Sequence, residues 1–132
     1  MHRIIAALLL ATGLATLPAV QAAEQAKVVP LLTQPLPDMA NKEVIVLTVE
    51  YAPGQSSPAH RHNADTFVYV LEGAVMMGVQ GKEPVRVEAG QTFYESPTDI
   101  HAVSANASKT GKARFVVFMI KEKGVPATVP AS

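Results

Sequence analysis

Between Glu43 and Ile120 the chain is a succession of short β-branched and aromatic runs, each cut by glycine or proline before a helix of ordinary length could form. Residues 43–51 read Glu-Val-Ile-Val-Leu-Thr-Val-Glu-Tyr, and Ala52-Pro53-Gly54 ends them with turn chemistry. Similar runs cover residues 66–71, 74–79, 84–87, 91–95, 100–106 and 113–120, with Gly73, Gly81, Gly90, Pro97 and Gly111 as punctuation. Closely and evenly spaced strands predict an all-β sandwich or barrel. Two runs are apolar on both faces. Val68 and Val70 alternate with Phe67, Tyr69 and Leu71, and Phe115, Val117 and Met119 alternate with Val116, Phe118 and Ile120. A strand with no polar face needs cover on both sides, from a second sheet or a second subunit, and a homodimer is expected.

The first segment reads as an address. His2 and Arg3 precede an almost wholly apolar stretch to Val20, and Val20-Gln21-Ala22 has the small residues of a cleavage site. Residues 1–22 are therefore expected to be a signal peptide, cleaved after Ala22, which places the mature protein in the periplasm or outside the cell. The apolar stretch is short for a membrane anchor and carries Pro18. Residues 23–41, with Pro30, Pro35 and Pro37 among valines and leucines, suit an N-terminal arm or edge strand. Residues 42–132 are expected to form the single barrel domain.

Composition removes several functions. No cysteine is present, so neither disulfides nor thiolate ligands contribute. The 11 basic and 11 acidic residues balance, which leaves no electrostatic footprint for nucleic acid or an anionic membrane surface. No later segment is apolar for long enough to cross a bilayer, so no membrane partner is expected for the mature form. A catalytic serine arrangement and a phosphate loop are both missing.

Of the four histidines, His2 leaves with the signal peptide, and the other three carry the chemistry. His60 and His62 are two apart, a spacing that aims both imidazoles at one face of a strand. Alone, such a pair is as often surface decoration. Their context is more specific: Gly54-Gln-Ser-Ser-Pro-Ala-His60-Arg-His62, then Thr66, then Gly73, resembles the first cupin motif at every spacing. Gly90, eleven positions before His101, resembles the second. The resemblance implies a single-domain cupin-type barrel, a double-stranded β-helix or jelly roll, in which His60, His62 and His101 converge on one divalent metal ion: Zn, Ni, Fe, Mn or Cu. Two departures stand out. Thr66 occupies the place of the motif's glutamate ligand, and around Pro97, Thr98 and Asn106 the second motif is shifted or substituted.

With the usual carboxylate missing, a fourth ligand is open among Asp65, Tyr94, Glu95 and water. Asp65 faces away from Thr66 on a regular strand, and alternation lets only one of Tyr94 and Glu95 point inward. Thr66, Tyr94 and Glu95 are also the candidates to orient substrate or move a proton, in a pocket shaped by Val68, Val70 and Phe93. Arg61 is expected at the surface, and Met76, Met77 and Met119 as core filling. Three histidines leave coordination positions for water or a small-molecule ligand. The reading from resemblance is an exported metal-dependent enzyme, a dioxygenase-like oxidoreductase acting on a small organic molecule. Its alternatives are a non-catalytic ligand- or metal-binding module and a zinc-type lyase, hydrolase or isomerase.

Overall fold

The computed structural model describes residues 25–132, and the expected signal peptide lies outside them. The described residues form β1 (Lys27–Pro35), β2 (Lys42–Tyr51), β3 (Ser56–Ser57), β4 (His60–Arg61), β5 (Asp65–Glu72), β6 (Ala74–Val79), β7 (Val85–Glu88), β8 (Thr92–Glu95), β9 (His101–Asn106), β10 (Ala113–Glu122) and β11 (Val129–Pro130), with no helix. Every strand pairing is antiparallel. One sheet runs β1-β2-β10-β5-β8 and the other β11-β4-β9-β6-β7, with β3 also on β9. The fold is the all-β double-stranded β-helix.

The alternation that marks the strands in sequence also sets which side faces the core. Along β10, Ala113, Phe115, Val117, Met119 and Lys121 are buried while Arg114, Phe118 and Glu122 are exposed. β5 keeps the same phase, with Thr66, Val68 and Val70 inward. The apolar ones among these join Leu47, Val49, Tyr51, Val75, Met77 and Val87 in one core. At about 1.5–3 kcal/mol per fully buried large apolar side chain, this cluster is the main source of stability in a chain with no cross-link.

The outer faces of β5 and β10 differ from that. Phe67, Tyr69 and Leu71 are 44%, 47% and 40% exposed and Phe118 is 38%, so the second sheet covers only one side of these doubly apolar strands. β1 lies at the sheet edge against β2, and all nine of its residues are exposed.

Two local features shape the route into the site. Gly73, at the turn from β5 to β6, has φ +72°, and a Cβ there would sit 2.6 Å from the Lys112 carbonyl oxygen, so only glycine fits. Asn63, at φ 51°, turns the chain directly after His62 into β5.

Candidate metal centre

His60 and His101 face each other across the β4–β9 pairing, and His62 follows one alternation later. Register thus brings the three rings together, with centroids 4.7 Å apart for His60 and His62, 4.9 Å for His60 and His101, and 6.0 Å for His62 and His101. One nitrogen from each lies within 4.8 Å of the others.

Backbone carbonyls fix the tautomers of two of them. His60 Nδ1 is 2.7 Å from the Pro58 oxygen, and His62 Nδ1 is 2.8 Å from the Ala127 oxygen. A carbonyl only accepts, so both Nδ1 atoms carry a proton, and in that tautomer each Nε2 presents a lone pair. Those two Nε2 atoms are 3.2 Å apart. Two lone pairs at that distance repel unless a shared proton or a metal cation lies between them, and only a metal can also engage the third ring. The third ring adds to the imbalance, because neither buried nitrogen of His101 has a hydrogen-bond partner among the described residues. Such orphaned polar atoms are costly in a core and account for themselves as ligands. The donor set therefore fits a divalent metal ion.

The protonation states suit the same role. Burial pushes His101 down to about 3, with His60 and His62 adding to the effect and the Val103 backbone, too poorly aligned for a full hydrogen bond, opposing it weakly. Burial also lowers His62, against the opposing pull of the Ala127 carbonyl. Both rings are neutral near pH 7, as ligation requires. Glu95 is pushed up to about 7, chiefly by burial and then by the charge of Asp99.

The rings open onto a cavity of about 970 Å³ between the sheets. Its walls include Leu47, Val68, Phe115 and Val117, with Thr66 and Glu95 beside the histidines. Thr66 is fully buried, and its hydroxyl donates to the Ala64 carbonyl at 3.3 Å. Tyr94 takes the opposite face: it is 51% exposed, and its hydroxyl donates to Asp65 at 2.8 Å, which raises its own pKa. That placement corrects the expectation that Tyr94 serves the site, because β8 turns Glu95 inward and alternation then sends Tyr94 out. Asp65 stays outside too. Of the three residues expected to shape the pocket, only Val68 lines it; Val70 is wholly within the core, and Phe93 stacks near His101 with centroids 6.2 Å apart. Met77 is core, whereas Met119 is buried but also reaches the cavity wall.

The C-terminal segment closes the site without any signal in its side chains. β11 pairs with β4, placing Val129 opposite Arg61 and Pro130 opposite His60, and Arg61 Nε reaches the Ala131 oxygen at 3.4 Å. Ala127 supplies the carbonyl that orients His62. Because the contacts are made by backbone, no side-chain pattern announces them.

The family model for the cupin domain matches residues 47–119 of the sequence. This chain belongs to the cupin family. No curated protein sequence matches it at a significant level. Among solved structures, an oxalate oxidase in complex with the substrate analogue glycolate is 28% identical with a TM-score of 0.57, covering 67% of this cupin and 46% of the oxidase. The DMSP lyase DddQ from Ruegeria pomeroyi is 18% identical with a TM-score of 0.58, over 67% of this chain and 43% of the lyase. A Klebsiella pneumoniae protein described as having a double-stranded β-helix domain is 16% identical, with a TM-score of 0.65 over 85% and 89% of the two chains. This cupin thus spans less than half the length of the oxidase and the lyase.

Proposed function

We propose that this cupin is an exported metalloprotein that holds one divalent ion on His60, His62 and His101 and oxidises a small oxygenated organic molecule with dioxygen. The observation that carries the metal reading is the pair of Nε2 lone pairs 3.2 Å apart, each fixed by a carbonyl behind its own ring. Support for oxidation comes from the oxalate oxidase, a 28% identical relative in fold with glycolate bound. Bound in this pocket, a redox-active ion would supply Lewis acidity and electrons. The chain's own residues do the rest. Pro58 and Ala127 hold two imidazoles in the metal-binding tautomer, the apolar walls exclude water from the substrate, and the Thr66 hydroxyl oxygen orients it.

Elemental analysis of the purified mature protein beside His60→Ala and His101→Ala tests the first part. One equivalent of metal in wild type and none in the variants is expected; equal, negligible metal in all three overturns the reading. Oxygen uptake with phenols, diketones and small hydroxy acids then tests the reaction. Metal without uptake on any of them favours a binding module instead.

Export rests on the layout of residues 1–22, and intact mass of the periplasmic or secreted protein tests it, with Ala23 as the expected first residue. We also propose a homodimer that covers the outer face of β5 and β10. There Phe67 packs near Tyr94 and Phe118, with ring centroids 5.3 and 6.2 Å away, and still leaves a large apolar area open. Sedimentation should give twice the chain mass, reduced to one chain by Phe118→Glu.

A further inference from the structure

We infer that Glu95 is the carboxylate ligand of this centre, delivered from β8 into the place that Thr66 leaves vacant on β5. The inference rests on the metal reading above and adds the fourth ligand to it.

The register makes the exchange geometrically simple. Thr66 and Glu95 are direct cross-strand partners in the antiparallel β5–β8 pairing. Opposite residues of such a pair project to the same face with Cβ atoms about 4.5–5.5 Å apart, so a carboxylate moved from one to the other still reaches the same cavity. Thr66 is the shorter, fully buried member, and Glu95, 2% exposed, is the longer one. Asp65 and Tyr94 occupy the opposite face and bond each other. Among the described residues, Glu95 is the only acid that lines the cavity.

Its surroundings leave its charge and lone pairs without a protein partner. Glu95 Oε1 is buried and has no hydrogen-bond partner among the described residues, as is true of both ring nitrogens of His101. Oε1 nevertheless lies 3.0 Å from His101 Nδ1, and Oε2 lies 3.9 Å from His62 Nε2. A carboxylate bracing His101 from behind would accept a directed N–H bond. Here the two atoms are close, but no such bond forms. With metal–ligand distances of about 2.1 Å, neighbouring ligand atoms lie roughly 3.0 Å apart in an octahedron and 3.4 Å in a tetrahedron. Glu95 meets that spacing at His101 and comes near it at His62, at 3.0 and 3.9 Å. Among the described residues, the cluster whose donor atoms all lie within 4.8 Å of one another is His60, His62 and His101 alone, so Glu95 would join an ion by a small side-chain rotation toward the rings. No lysine or arginine pairs with Glu95 among the described residues, so a metal ion is the cation that would balance it.

Calorimetric titration of the metal-free mature protein with Co(II) and with Mn(II), together with the visible spectrum of the Co(II) form, tests this. Three proteins are compared: wild type, the near-isosteric Glu95→Gln, and the swapped double variant Thr66→Glu with Glu95→Ala, each checked for folding by circular dichroism. Wild type is expected to bind one equivalent. Glu95→Gln should bind at least about 10- to 100-fold more weakly with an altered Co(II) spectrum, and the swap should recover most of the affinity. If wild type binds neither ion, the metal reading itself fails. If wild type binds and Glu95→Gln matches it within twofold with an unchanged spectrum, the histidine site stands and Glu95 is not a ligand. Weak binding in Glu95→Gln with no recovery in a folded swap overturns the claim that the two positions are interchangeable.

Discussion

Strand β9 begins at His101 and ends at Asn106, and the chain buries a polar side chain at both ends in opposite ways. Asn106 is fully employed. Its Nδ2 donates to the carbonyls of Ala52 at 2.9 Å and Gly111 at 2.8 Å, with Tyr51 at 3.4 Å, and its Oδ1 accepts from the Ser108 amide at 2.9 Å. Nearby, the Tyr51 hydroxyl joins Ser57 and Ser104 at 2.6 and 2.7 Å. At the other end, both His101 nitrogens and the adjacent Glu95 Oε1 lack partners. A buried network that satisfies itself holds the fold together, while one left incomplete is waiting for something the chain does not contain. Polar burial alone therefore says little about function; the unspent valence does.

Substitutions at the two ends should separate these roles, and the largest effect is on metal affinity. His101→Ala is expected to lower it at least about 100-fold while changing the stability of the metal-free protein by no more than about 1 kcal/mol, since the group it removes is unsatisfied. Asn106→Ala should do the reverse. It strands buried carbonyls and the Ser108 amide, costing about 3 kcal/mol in urea unfolding, with metal affinity of the folded protein within twofold. Equal losses of stability at both ends would erase the distinction.

Metal should also repair the incomplete end. At free metal about 1,000 times its dissociation constant, folding stability is expected to rise by about 4 kcal/mol and to return to baseline with a chelator. Removing residues 125–132 takes away the Ala127 carbonyl behind His62, and metal affinity should fall about 10-fold through loss of tautomer control.

The pH dependence of the metal-free protein is the subtlest contrast. His101 refuses a proton until about pH 3 when folded but takes one near 6.5 when unfolded, so it withdraws stability as pH falls through that range. Glu95 acts with the opposite sign: its raised value means the folded state keeps a proton from about 4.5 up to about 7, and stability is lost as pH rises across it. The two offset each other between about 4.5 and 6.5, and the net acid loss should steepen below 4.5. Chemical denaturation at stepped pH reads this directly. In Glu95→Gln the offset disappears, and the loss should begin near 6.5.

Much of this was legible in the residues themselves. Period-two alternation marked the long strands, because a buried face writes itself into side-chain identity, and the histidine spacing marked the three converging rings. The phase of β8 was harder. Tyr94 and Glu95 are both plausible inward residues, and only the pairing with β5 decides that Glu95 faces the cavity. Val70 and Phe93 read as pocket residues by alternation alone, yet depth in the barrel places one in the core and the other beside His101. The closing role of residues 127–131 was invisible, since Ala127 and Ala131 act through carbonyl oxygens that every residue carries.

The most direct test is anomalous diffraction from a crystal of the mature protein grown with Co(II). A single peak about 2.0–2.3 Å from the Nε2 atoms of both His60 and His62, and within bonding distance of a His101 nitrogen, is the result expected of these convergent nitrogens. A crystal saturated with Co(II) that shows no peak between those rings, or shows the rings turned apart, would contradict it.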